Sequence, residues 1–199
     1  TEVLDLTDIG GLLEKGASVE LVKMELGAEK VYTGALMTLK GDGSSFTAHI
    51  GYQGFTGQHL DMNYVARHLG RKTESLMESN GVLNGNAFKL FRGSIDFVKG
   101  CAGSVGNEKE DVLLLGDDVV NQTIPLILCA EEDVEGNHGA SIGELDEKTL
   151  FYLMSRGFTK EAAEAMIAGA RLEAIAAEIP VPEVREQVEK YLEEQHEEL

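Results

Sequence analysis

One histidine, His138, sits between Asn137 and Gly139 inside a strongly acidic stretch. Seven Asp or Glu lie between Glu131 and Glu147, with no Lys or Arg among them until Lys148. Carboxylates around an imidazole favour its protonated form, while the neutral ring is a metal ligand. Proton carriage and metal binding are therefore the two chemistries open to His138. A structural histidine, hydrogen-bonded in a tight turn, is the plain alternative. The carboxylate run itself reads as a solvated acidic rim rather than a cation site.

The other reactive residue types are sparse. Cys101 lies in a small-residue loop, G-C-A-G-S-V-G-N over 100–107, which can expose it; only Lys99 flanks it, so activation of its thiol is not supported. Cys129, in L-I-L-C-A, reads as a buried core cysteine in a strand. No CxxC pair exists, so two reduced thiols are expected rather than a zinc ribbon or a redox pair. His49, His59 and His68 recur at spacings of ten and nine. A solenoid could stack them, but unrelated positions on polar faces account for them as well. The 23 glycines read as turn residues, because no G-x-G-x-x-G lies between a strand and a helix.

The elements that position these residues change character at the acidic stretch. Before it, short apolar pieces are punctuated by glycine. Strands are expected from Ser18, over 30–39, over 44–52 and over 58–66, where apolar and polar residues alternate. Residues 67–80 read as polar and irregular. Residues 82–98 read as two strands around Gly93. The runs 111–115 and 123–130 are continuously apolar, which suits fully buried strands, with Pro125 at a strand end or on a sheet edge. About eight strands before residue 131, with turns roughly every ten residues, leave a sandwich, a barrel or a β-solenoid open. No repeat of fixed period chooses among them.

After the acidic stretch the period becomes helical. Leu145, Leu150, Leu153 and Met154 share a broad face, and Gly157 reads as a helix stop. Thr159 is an N-cap for a helix over 160–178. Pro180 breaks that helix and Pro182 opens the next, whose stripe is Val184, Val188, Tyr191 and Leu192.

Composition narrows the function. The chain has 199 residues and a net charge of −18, which argues against nucleic acid and against an anionic membrane surface. No apolar run is long enough to span a bilayer and no signal peptide is visible; because the chain starts at Thr1 and not Met, a missing targeting segment decides little. A cytoplasmic location is expected.

The segment E-D-V-E-G-N-H-G-A-S-I-G-E-L-D-E-K-T-L-F-Y-L-M-S-R-G resembles the hallmark of the SufB/SufD family of iron-sulfur cluster assembly scaffolds. That family runs D-D-V into C-S-H-G-A-T, then x-G-x-L-D and L-F-Y-L-x-S-R-G. Upstream, E-K-G-A-S-V-E-L-V (14–22), G-V-L-N-G-N-A-F-K-L-F-R-G-S-I (81–95), D-V-L-L-L-G-D-D-V (111–119) and T-I-P-L-I-L (123–128) resemble further family segments in the family's order. His138-Gly139-Ala140 is closer to the SufD form, H-G-A, than to the H-E-A usual in SufB.

The resemblance implies a right-handed parallel β-helix over 1–143 and a small helical domain over 144–199. It implies pairing with SufB, or with a second copy of the chain, through the β-helix. It also implies docking of the SufC ATPase on the helices, around Leu150, Phe151, Tyr152, Arg156 and Gly157. The nucleotide site would belong to SufC; this chain has no G-x-x-x-x-G-K-[ST] loop. His138 corresponds to the family histidine implicated in cluster assembly, as an iron ligand or a proton carrier. The family cysteine two residues before it is Gly136 here, and neither Cys101 nor Cys129 matches the late-strand cysteine of SufB. A cluster is therefore expected only transiently, at an interface with a second chain, and the isolated chain is expected to hold none and to have no catalytic activity.

Two rivals come from other classes. A β-solenoid carbohydrate enzyme needs an aromatic groove and paired carboxylates or a Lys/Arg base, whereas this chain has no Trp and 6% aromatics. A stand-alone metal protein needs His/Cys clusters, which the sequence does not show.

Overall fold

The repeat that the sequence hides is a stack of two-strand turns. The computed structural model describes residues 3–198. Ten strands come first: β1 (Leu4–Leu13), β2 (Ser18–Glu25), β3 (Lys30–Leu39), β4 (Ser45–Gly54), β5 (His59–His68), β6 (Glu74–Leu83), β7 (Phe88–Phe97), β8 (Ser104–Leu114), β9 (Val120–Cys129) and β10 (Val134–Gly143). Odd strands form one parallel sheet, β1-β3-β5-β7-β9, and even strands the other, β10-β8-β6-β4-β2. Each turn contributes one strand to each sheet, giving a β-solenoid of five turns. Leu4 pairs with Lys30, Lys30 with His59, His59 with Phe88 and Phe88 with Val120. The turns thus vary in length, which is why no fixed period is visible in the sequence.

Side chains alternate in and out of the two sheets, and the inward set stacks turn upon turn. Leu13, Leu39, His68 and Phe97 form one such ladder. Phe46, Tyr52, Tyr64, Phe91 and Phe97 fill the space between the sheets and are fully buried or nearly so. Large residues are accommodated by small neighbours. Gly93 lies beside Tyr64 in register, and a Cβ at Gly93 would meet the Glu108 carboxylate at 2.1 Å. It is therefore a packing glycine inside one strand, not a break between two.

That corrects the sequence reading at several points. Residues 67–80 contain most of β6, residues 82–98 hold the end of β6 and all of β7, and the loop expected over 100–107 gives way to β8 at Ser104. Nine strands, not eight, start before residue 131. Residues 111–114 close β8, and Leu115 follows it. β9 is not fully buried: it alternates, with Ile124, Leu126 and Leu128 exposed on its outer side. Pro125 lies on a sheet edge, as a residue without an N–H must.

Three helices follow. In α1 (Glu147–Ser155) the Asp146 carboxylate accepts from Thr149 N at 3.1 Å. In α2 (Lys160–Ala176) the Thr159 hydroxyl accepts from Ala162 N at 3.1 Å. These are the side-chain caps that satisfy first-turn donors. Gly157 ends α1 at φ 101°, and α3 (Pro182–Glu198) opens on proline. α2 packs on the outer face of the even sheet, against β2, β4 and β6. Val82 and Leu113 of that sheet share an apolar core with Ala168, Leu172, Ala176, Ile179 and Leu192. Arg171 pairs with Asp111 across this contact. Among the described residues, no helix is long and apolar enough to cross a membrane.

Candidate functional site at the open end of the solenoid

The last turn is the one turn at this end that nothing stacks upon. β9 pairs only with β7 and β10 only with β8, so each is a sheet edge with one side of its main chain unpaired. The inward positions of β10 follow those of β8 in register: Gly136 over Gly106, His138 over Glu108, Ala140 over Glu110. A Cβ at Gly136 would lie 3.0 Å from Phe97 and 3.1 Å from Ile127, which fixes the inward direction of that position. His138, two residues on, shares this face. It is exposed because the turn is the end of the stack.

His138 therefore lies mid-strand, not in a tight turn. Among the described residues its side chain has no hydrogen-bond or ion-pair partner. Its partner in the β8 register is Glu108, at the floor of the open end. Glu108 is 5% exposed, and its Oε2 has no hydrogen-bond partner. Burial, reinforced by the nearby Glu110 charge, pushes its carboxyl up to about 7.

Beneath this floor is a buried polar network. Lys89 Nζ, fully buried, donates to Glu110 Oε1 at 2.6 Å and to Thr123 Oγ1 at 2.9 Å. Thr123 donates to Glu110 Oε2 at 2.6 Å, and Tyr52 OH donates to Glu110 Oε1 at 2.9 Å. Burial pulls the Lys89 ammonium down while the Glu110 carboxylate holds it up, and burial comes first. Four strands meet in this network. Sequence reasoning missed it, because Lys89 and Glu110 are brought together only by the register of the turns. Alternation around Lys89 in β7 was the one available signal.

Of the two cysteines, Cys129 departs from the buried position expected for it, and Cys101 is not exposed by its loop. Cys101 is buried, and burial pushes its thiol up. The loop around it folds inward because Cys101 N donates to Val98 O at 3.2 Å and Ser104 N to Cys101 O at 3.2 Å, closing a tight turn against the core. Cys129 is exposed at the end of β9, its Sγ donating to Glu131 O at 3.0 Å. An edge strand in the last turn has no further turn to bury it. Both are free thiols. The three histidines do not stack on one another. His68 is buried between Thr73 and Ser75, His59 stacks on Phe88, and His49 lies on the outer face of β4.

The residues expected at a docking surface lie on and just after α1. No residue of α1 is buried; Phe151 is 75% exposed and Tyr152 54%. Leu150 is half-buried, and Arg156 lies over the Tyr152 ring at 5.1 Å. Gly157 is exposed at the helix end.

The described residues thus form a two-sheet parallel β-solenoid with an open last turn, continued by an exposed helix and a helix pair packed on its flank. Comparison with known proteins gives the family. The model of the SUF system FeS cluster assembly SufBD core domain matches residues 1–171, and the chain belongs to that family. An iron-sulfur cluster assembly SufBD family protein of Mycobacterium leprae is 31% identical over 170 residues, covering 85% of this chain and 19% of the relative. Bacillus subtilis SufD is 31% identical over 126 residues (63% of this chain, 29% of the relative), and its SufB is 28% identical over 169 (84% and 36%). The chain thus spans between a fifth and two fifths of these relatives.

Proposed function

We propose that the chain is a SufD-like scaffold in iron-sulfur cluster assembly, itself without catalytic activity and acting in the cytoplasm. It pairs through the open end of the solenoid with SufB or with a second copy of itself, and it docks the SufC ATPase on its C-terminal helices. ATP hydrolysis belongs to SufC.

The observation that carries this reading is the geometry of the last turn. Two unpaired strand edges, with Ile124, Leu126 and Leu128 exposed beside them, surround the outward opening in which His138 stands. Unpaired edges bind other strands. His138 is a single nitrogen donor, and Gly136 supplies no thiolate beside it. Iron-sulfur clusters take several ligands, mostly thiolates, so the cluster as cargo needs ligands from the chain that covers this end. The exposed apolar side chains of α1 fit a second, separate docking surface.

The test is anaerobic cluster reconstitution on the complex of this chain with SufB and SufC of the same organism. Iron and sulfide should bind to the complex and fall sharply with His138→Ala, while the complex stays assembled. A chain that is recovered alone, or a His138→Ala complex that loads normally, contradicts the reading.

A further inference from the structure

Away from the last turn, the outer face of the even sheet carries a second group of titratable side chains. His49, mid-strand in β4, is in register with Val22 of β2 and Glu78 of β6. Its Nδ1 is 3.5 Å from Glu78 Oε2, and its Nε2 is 3.8 Å from Glu20 Oε1. Glu178, in the turn that follows α2, completes the group. One ligand atom each from Glu20, His49 and Glu178 lie within 4.8 Å of one another. The His49 side chain is only 14% exposed, so the ring is held in place. Among the described residues, no Lys or Arg forms an ion pair with Glu20, Glu78 or Glu178. Three carboxylates thus converge on one imidazole without a basic residue to balance them.

We propose that Glu20, His49 and Glu178 bind one divalent first-row transition metal ion, with Glu78 positioning the imidazole. The roles follow from the two ring nitrogens. A metal-bound histidine usually donates its other N–H to a carboxylate, which sets tautomer and ring orientation. Glu78 stands at Nδ1 for that purpose, leaving Nε2 toward Glu20 and Glu178. Donors at about 2.0–2.2 Å from an ion lie roughly 3–4 Å apart, so the group needs only a small contraction, within reach of the exposed Glu20 and Glu178 side chains. Mixed imidazole and carboxylate donors suit zinc, manganese or ferrous iron, whereas magnesium and calcium prefer oxygen alone.

The location gives the ion a structural consequence. Glu20 and His49 belong to the solenoid and Glu178 to the helical tail. Glu20 also lines a groove of about 460 Å³ with Val22, Met24, Ile179 and Pro180, between β2 and the turn joining α2 to α3. A bound ion would clamp that turn to the solenoid flank at the edge of this groove.

The test is calorimetric titration of the chelator-treated intact chain with zinc chloride alone, in excess magnesium. One equivalent should bind and raise the melting temperature. His49→Ala and Glu178→Gln should each weaken it by about 100-fold, and Glu78→Gln by about 10- to 100-fold. His138→Ala should leave it unchanged, which separates this site from the open end. Glu178→Gln alters an exposed side chain, so it remains informative if His49→Ala folds poorly. Absence of a one-equivalent site, equal binding by Glu178→Gln, or loss in His138→Ala alone would overturn the proposal.

Discussion

At the scale of single residues, the chain places its titratable groups in very different surroundings, and each has a measurable consequence. His68 accepts or donates through both ring nitrogens, to Thr73 Oγ1 at 2.7 Å and Ser75 Oγ at 2.9 Å, in a site without solvent. Burial brings its pKa down to about 4, against a smaller opposing pull from Asp96. The unfolded chain therefore takes up a proton at this residue near pH 6.5, while the folded chain does so only near pH 4. Stability is intact above about pH 6.5 and falls as pH drops toward 4, by roughly 2–3 kcal/mol from this group. Urea unfolding between pH 4 and 7 should show that loss, and His68→Gln should flatten it. Lys89 makes the opposite point about charge. Lys89→Met strands the Glu110 carboxylate in the core and should cost about 3–5 kcal/mol, with Lys89→Met/Glu110→Gln recovering part of it. An unchanged denaturation midpoint in the single variant would show that water reaches Glu110. The partners of His68 and Lys89 were not visible in the linear chain. His138 was, because an isolated histidine in an acidic run stands out. Its true neighbour, Glu108, lies 30 positions away and is set by register.

At the scale of elements, what could be read depended on whether the signal was local. The helix caps Asp146 and Thr159, the stop at Gly157 and the opening proline of α3 are local, and Thr159, Gly157 and Pro182 stand where the spacing put them. Strand boundaries were less legible. β6 reads as polar because E-S-L-M-E-S-N-G sets only Leu76 and Met77 among acid, serine and amide residues, and Ser75 and Ser79 are themselves buried. Cys129 was misplaced because an apolar run looks the same in a central strand and on an exposed edge. The two edge strands also yield a prediction. Leu126→Glu and Leu128→Glu change exposed side chains, so folding should be unaffected. Sedimentation should show the pairing of solenoid ends weakened about 10-fold or more, since each lost 1.4 kcal/mol is a factor of ten. Undiminished pairing would move the interface elsewhere.

At the scale of the whole molecule, the solenoid and the helical tail share a core. Removing residues 145–199 would uncover Val82 and Leu113, and loss of a partner after that truncation could reflect unfolding. The architecture was open among three β folds from pattern alone, because turns of unequal length disguise the repeat; the resemblance to the family resolved it, and the parallel ladders bear it out. The net charge of −18 gives the molecule a surface that repels nucleic-acid phosphates. Its two surfaces, α1 and the open end, should then be separable.

The most direct measurement is co-purification of the intact chain with SufC of the same organism, with the native mass of the product determined. The scaffold account predicts that the wild type retains SufC. Phe151→Ser/Tyr152→Ser should lose it while keeping the solenoid fold by circular dichroism, and Leu126→Glu/Leu128→Glu should keep SufC but lose the paired species. An intact, folded chain that retains no SufC, or a Phe151→Ser/Tyr152→Ser variant that retains it fully, would contradict the account.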